Sequence, residues 1–291
     1  EFNFSTPTAN VVSPDALAYV RFGLRAADDP RILDTIKVID ATLKVETPRG
    51  TCWHRYTGDG YGEQQDGSPF DGKRGIGRLW PLLTGERAHY ELLAGRHEEA
   101  VRLLQAMEQF AGDGGLLPEQ VWDRHDIPER GLYLGRPSGS AMPLAWAHAE
   151  YIKLRRSLAD GRVFDTPELT RRRYIEEKTV SPLVIWDLSH RRPEMPPGKI
   201  LRIQINAPAR ITWKTDRHDG GRVSTRDSGL GVHFADLPTD RLPEESVVQF
   251  EFDSIKAKWV DKRNWFITQS DTVRILADQE SELGVSSRHG E

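Results

Sequence analysis

The chain has 291 residues, enough for one large or two ordinary domains with a real hydrophobic core. Lys and Arg number 40 against 44 Asp and Glu, a net charge of −4, so no basic excess supports a grip on nucleic acid. No stretch approaches ~20 apolar residues, which excludes a helical membrane span, and the single Cys52 excludes an internal disulfide framework and a cysteine-based zinc site.

Ser13-Pro14-Asp15 reads as a helix start, with Ser as N-cap, Pro at the first helical position and an acid in the first turn. Leu17, Val20 and Leu24 then fall on one face. Asp29-Pro30 opens a second helix, in which Ile32, Ile36, Ile39 and Leu43 form a core stripe at helical spacing. Thr47-Pro48-Arg49-Gly50 ends it. Residues 51–77 form a long, glycine-rich segment carrying Trp53, His54, Arg55, Tyr56, Asp59, Tyr61, Asp66, Phe70 and Asp71; a connection of this length is expected to be a binding loop.

A third helix is expected from about Arg78 to Leu93, closed by Gly95, and a fourth from about His97 to Phe110, burying Ala100, Leu103, Leu104 and Met107. Gly112–Gly115 breaks that helix and delivers Leu117-Pro118-Glu119-Gln120-Val121-Trp122-Asp123 on irregular backbone. Pro118 fixes its own φ and pushes Leu117 out of the helical region, so Glu119 sits on a stiff turn. Trp122 can wall a pocket that tunes a carboxylate by excluding water. The residues alone also allow a solvated loop acid and a core indole. A fifth, strongly apolar helix from Ser140 to Leu158 carries Trp146.

Around Phe164–Glu177 the composition changes, and Arg171-Arg172-Arg173-Tyr174 reads as a linker. Beyond it the hydrophobic period becomes two: Ile203 and Ile205, Ile211 and Trp213, then Val248, Phe250 and Phe252 alternate with polar residues. Turn residues at Pro196-Pro197-Gly198, Asp219-Gly220-Gly221 and Asp227-Ser228-Gly229 separate them. Several short alternating strands predict a β-sandwich. The expected organisation is residues 1–170, residues 171–279 and a flexible tail at 280–291.

Leu116-Leu117-Pro118-Glu119-Gln120-Val121-Trp122-Asp123 resembles the catalytic-base segment of the glucoamylase and glucodextranase family, glycoside hydrolase family 15. The resemblance runs from about Pro14 to Asp165. It includes Gly50-Thr51-Cys52-Trp53-His54-Arg55-Tyr56, Pro69-Phe70-Asp71-Gly72, Leu79-Trp80-Pro81-Leu82-Leu83-Thr84-Gly85-Glu86-Arg87 and Gly139-Ser140-Ala141-Met142-Pro143 through Tyr151. Several segments in the family's order make this specific. It implies an α+β multidomain chain: a partial (α/α)6 barrel of helical hairpins followed by an antiparallel β-sandwich. The parent barrel has twelve helices and the sequence supplies about five, so the first part of the barrel is expected to lie outside this chain.

The resemblance also implies roles. Glu119 is the general base of an inverting, exo-acting α-glucosidase, with Gln120 beside it and Trp122 shaping the pocket. Arg55 binds sugar hydroxyls, its fixed donors suiting vicinal hydroxyl pairs; pairing with Asp59 or Asp66 is the alternative. Tyr56, Trp80 and Trp146 are candidate sugar contacts, Trp146 being equally compatible with helix packing. The family's general acid lies in a Trp-Glu-Glu-like segment absent here, and none of Glu98-Glu99, Glu176-Glu177 or Glu244-Glu245 follows a Trp. Glu63 and Glu86 are weak candidates, so the acid stays unassigned.

The nine histidines show no ligand spacing, no phosphate-loop glycine pattern is present, and Asp59-Gly60 and Asp66-Gly67 lack a regular calcium spacing, so no metal and no cofactor is expected. The expected partners are an α-glucan or glucose oligosaccharide and, as one alternative, the upstream half of the barrel as a separate chain; nucleic acid and membrane are not. The resemblance points to a secreted or periplasmic location. The chain opens at Glu1-Phe2-Asn3-Phe4 without an initiator Met, so the lack of a leader is uninformative. In the β region the family resemblance rests on Trp213…Asp216 and Gly229–Pro238. Asp216-Arg217-His218 stands where relatives carry an aromatic, which weakens a sugar-binding reading, and Trp186, Trp213, Trp259 and Trp265 are equally compatible with core.

Overall fold

The structure, a computed structural model, describes residues 7, 10–73, 75–217, 219–254 and 269–276. The expected tail at 280–291, together with Trp259, Trp265 and His218, lies outside the described residues. The chain divides into two units, Glu1–Thr179 and Val180–Glu291, so the boundary falls later than residue 170.

In the first unit a 3-10 turn, Pro14–Ala16, leads into α1, Leu17–Arg21; the Ser13 side chain accepts from the Asp15 amide, the cap that its sequence predicts. Helix α2, Pro30–Leu43, is capped by Asp29, which accepts from the Arg31 amide, and it buries the whole Ile32, Ile36, Ile39, Leu43 stripe. The chain then does something the periodicity does not announce. Lys44–Thr47 (β1) and Gly50–His54 (β2) form an antiparallel hairpin turning through Pro48-Arg49, and Leu79–Trp80 (β3) adds a third strand, with Trp53 opposite Trp80. The first residues of the expected loop are therefore a strand, and the third helix begins at Pro81 rather than Arg78.

Helices α3, Pro81–Leu93, and α4, His97–Phe110, pack as an antiparallel pair, and α5, Ala145–Asp160, lies against both. Gly95 and Gly161 terminate α3 and α5 at positive φ, where a side chain would be strained. Residues 140–144, expected as the first turn of α5, are extended and irregular. The main core joins Ile39, Leu82, Leu103, Leu104, Met107, Ala147 and Leu154 with Trp53 and Trp80. The run Arg171-Arg172-Arg173-Tyr174 is not an extended linker: α6, Glu168–Arg171, continues as a π-helical turn over Arg172–Glu176.

The second unit contains β4 Leu183–Asp187, β5 Glu194–Met195, β6 Ile200–Ile205, β7 Ala209–Thr215, β8 Gly221–Ser224, β9 Arg226–Asp227, β10 His233–Leu237, β11 Val247–Ser254 and β12 Gln269–Ile275. They form a sheet ordered β4-β6-β10-β9 and another ordered β5-β12-β11-β7-β8. The alternation read from sequence is real: Leu201, Ile203 and Ile205 of β6 and Phe250 and Phe252 of β11 enter one core around Trp186. Trp186 meets Phe250 edge-on at 4.9 Å, while Trp213 is only partly buried at the margin. The sheets are not purely antiparallel, because β4 runs parallel to β6 and β5 parallel to β12.

Candidate active site

The Glu119 segment is held as an added strand. The Val121 amide donates to the Leu79 carbonyl at 2.9 Å, extending the β1-β2-β3 sheet. On its other side the Trp122 amide donates to Arg136, the Ser138 amide to Gln120 and the Glu119 amide to Ala141 at 2.8 Å. Pro118 has no amide to place, and Leu117 anchors the entry, its amide donating to His148 Nε2 on α5. Glu119 therefore sits on backbone fixed along both edges.

Glu119 lines a pocket of about 560 Å3, together with Tyr61, Glu63, Phe70, Gln120, Arg130 and Ser140 among others. Glu119 Oε2 is buried and makes no hydrogen bond to the protein. The aromatic wall is Tyr61, 38% exposed, with Phe70 edge-on at 5.2 Å and 78°. Burial first, and then the charge and hydrogen-bond acceptance of Glu119, hold the Tyr61 hydroxyl above the ordinary tyrosine range, so it keeps its proton.

Of the residues expected to touch a ligand, only Glu119 and Gln120 line this pocket. Gln120 is fully buried, and its side-chain oxygen accepts from the Arg78 amide at 2.8 Å, so its side chain braces the wall. Trp122 does not reach the pocket: it is entirely buried, its Nε1 donates to the His125 carbonyl, and the Arg78 guanidinium lies 4.2 Å from its ring centre. Trp80 is buried behind Tyr61, at 6.5 Å between ring centres. Arg55 makes a two-pronged pair with Asp59 (2.9 and 2.8 Å) and lies over the rings of Tyr56, Tyr61 and Trp80 at 5.0, 5.4 and 4.9 Å. Its pairing with Asp59 is thus realised, and Arg55 and Tyr56 form a layer behind the pocket wall. Trp146 is 58% exposed on the first turn of α5, outside the pocket lining and not in the core.

The residue that sequence reasoning missed is Arg78. It is completely buried and donates to Asp123 Oδ1 (2.8 Å) and to the carbonyls of Glu63 (2.6 Å) and Gln64 (2.7 Å). Asp123 also lies 3.4 Å from His54 Nε2. Glu63, 5% exposed, accepts from the Gly139 amide at 2.6 Å and places its second oxygen 3.9 Å from Arg78 Nε. One guanidinium thus ties the 59–64 loop, the Glu119 strand and, through Glu63, the 137–141 loop into a single wall. Its sequence signal was slight: an arginine just before an apolar strand, and an acid four residues after the candidate base. Gly62 lets these walls meet, since a Cβ there would lie 2.2 Å from the Ile76 carbonyl oxygen.

A carboxylate on fixed backbone beside an aromatic wall suits proton abstraction from a ligand that offers both hydroxyls and flat apolar faces. The chain belongs to glycosyl hydrolases family 15, whose family model matches residues 4–156. It is 47% identical over 165 residues to a glucoamylase of Clostridium sp. (strain G0005), a match covering 57% of this chain and 22% of that protein. A solved bacterial glucoamylase complexed with acarbose is similar at 47% identity and a TM-score of 0.52, over 57% of this chain and 23% of that one. The chain thus spans about a fifth of the length of the glucoamylases it matches.

Proposed function

We propose that the chain is the C-terminal portion of an inverting, exo-acting α-glucan hydrolase that releases glucose from non-reducing ends, with Glu119 as general base. Residues 1–170 are read as part of its (α/α)6 barrel and the β unit as a sandwich appendage. The observation that carries the reading is the presentation of Glu119: fixed backbone, an open pocket, and one buried oxygen with no protein partner, in a glycosidase family. The similarity to a glucoamylase that binds acarbose supports an oligosaccharide ligand.

In this chemistry Glu119 removes a proton from water while the water oxygen bonds to the anomeric carbon. The glycosidic C–O bond breaks on the opposite face, and the leaving oxygen takes a proton from a second carboxylic acid roughly 6.5–9.5 Å from the base. Neither candidate acid in this chain is free for that work. Glu63 is committed to Gly139 and Arg78. Glu86 faces Glu150, Arg21, Asp15 and Lys153 and does not line the Glu119 pocket. The acid is therefore assigned to the upstream half of the barrel, carried on the same polypeptide or on a separate chain.

The test is glucose release from maltotetraose and isomaltotriose by the purified chain, alone and with the upstream half added. Expected are β-glucose only after addition, and its loss in Glu119→Gln. Release of α-glucose, or full activity in Glu119→Gln, overturns the assignment. The commitment of Glu63 to structural contacts favours one second reading, a glucan-binding fragment that does not cleave. That reading predicts maltotetraose binding with no release under either condition.

A further inference from the structure

We infer that His148 is a positioning residue for Glu119: as a neutral imidazole it accepts the Leu117 amide and holds the backbone that aims the base. The inference rests on the reading of Glu119 as general base. The contact is a hydrogen bond of 3.0 Å from the Leu117 N–H to His148 Nε2. An accepting ring nitrogen carries no proton, so the imidazole proton sits on Nδ1, the tautomer that this bond selects. His148 is half-buried on the first turn of α5 and does not line the Glu119 pocket, so it acts through Leu117 and not on a ligand.

Leu117 is buried in the main core, and its carbonyl accepts from the Leu144 amide at 2.9 Å. Leu144 is the N-cap of α5, and its own carbonyl accepts from the His148 amide at 3.2 Å. One helical turn therefore grips Leu117 by both its amide and its carbonyl, and Ala147 and Leu154 seat that helix in the same core. Pro118 follows, with a fixed φ and no amide, so it has little freedom to take up a shift of Leu117. The first donor beyond it is the Glu119 amide, bonded to the Ala141 carbonyl at 2.8 Å. A displacement of Leu117 thus passes to the base, where an error of about 1 Å costs roughly a hundredfold in rate. Removing the imidazole acceptor leaves a buried amide unpaired, and that favours such a displacement.

The contact is testable without turnover, in the 15N-labelled chain at about pH 8, above the ordinary imidazole range. A trans-hydrogen-bond 15N–15N coupling is expected between the Leu117 amide and the His148 ring, with Nε2 bare and Nδ1 protonated. No coupling, or a proton on Nε2, overturns the inference. Exchange of the Glu119 amide with solvent deuterium is expected to quicken about tenfold or more in His148→Leu. In His148→Gln, whose side-chain oxygen still accepts, it should stay within about threefold of wild type. Equal exchange in all three chains, or equal quickening in both variants, would leave His148 a packing residue and overturn the positioning role. In the assembly that releases glucose, His148→Leu is expected to lower kcat about tenfold or more with KM within about twofold, and His148→Gln to recover most of that loss. A raised KM with unchanged kcat overturns the role as well. Hydrolysis intact in Glu119→Gln, with the coupling still present, would sink the base assignment instead and leave the contact standing.

Discussion

Arg78 shows what a single side chain does in this molecule. Its guanidinium replaces the water it loses with Asp123, two backbone carbonyls and the face of Trp122. Removing it leaves Asp123 buried with His54 as its remaining close partner and Arg124 at 3.9 Å. Arg78→Met is accordingly expected to cost about 3–5 kcal/mol, read from the shift of the urea midpoint, and a loss under about 1 kcal/mol would show that the network adds nothing net. Glu86 behaves in the opposite sense. Burial first, and then the charge of Glu150, push its carboxyl from 4.5 up to about 7. Below pH 4.5 the folded and unfolded chains both hold this proton; between 4.5 and 7 only the folded chain does, so stability from this group is lost as pH rises through that window. Glu86→Gln should therefore match the wild type near pH 4.5. By pH 8 it should exceed it by at most roughly 3 kcal/mol, which urea unfolding at both pH values would read. Nearby Asp165 and Glu150 are held below their ordinary values against burial, chiefly by hydrogen bonds and charge from Arg21 and His89. Their contribution is present above the unfolded value and is lost as pH falls, so the two effects narrow the stable range from both sides.

At the scale of elements, helices were legible and the small sheet was not. The Ile32 to Leu43 stripe, the Asp29-Pro30 start and the glycine stops are local signals, and each reports a local cause. Strands β1 to β3 are short, and β3 joins β2 only across the long loop that separates them in sequence, so no period reveals the sheet. The pocket wall depends on the same kind of distant contact. At Gly62 a Cβ would press on the Ile76 carbonyl oxygen at 2.2 Å, a backbone atom that cannot rotate away. Gly62→Ala is expected to cost about 1–3 kcal/mol and to displace the Gln120 side chain, visible as weakened maltotetraose binding. In the α3–α4 pair, Leu103 is wholly buried in the main core, so Leu103→Ala should cost about 2–5 kcal/mol by calorimetry without altering ligand binding.

For the whole molecule, the two units have separate cores, one around Leu103 and Trp53 and one around Trp186 and Phe250. Two calorimetric transitions are therefore expected, with Leu103→Ala lowering one and Phe250→Ala the other; a single transition shifted equally by both would refute separate cores. From the sequence alone came what local chemistry dictates: the helical stripes, the change of period, the family and the candidate base on its proline-stiffened turn. Only the tertiary structure decided which residues the base meets, because that depends on contacts across long loops. It put Tyr61 and Phe70 on the pocket wall and drew Trp122 and Trp80 beneath it. It gave Arg55 to Asp59 and made Arg78 the tie between three segments. An aromatic or an arginine looks the same in a sequence whether it faces a ligand or a buried acid. The choice follows from burial and from which charges need a partner, and both exist only after the chain has folded.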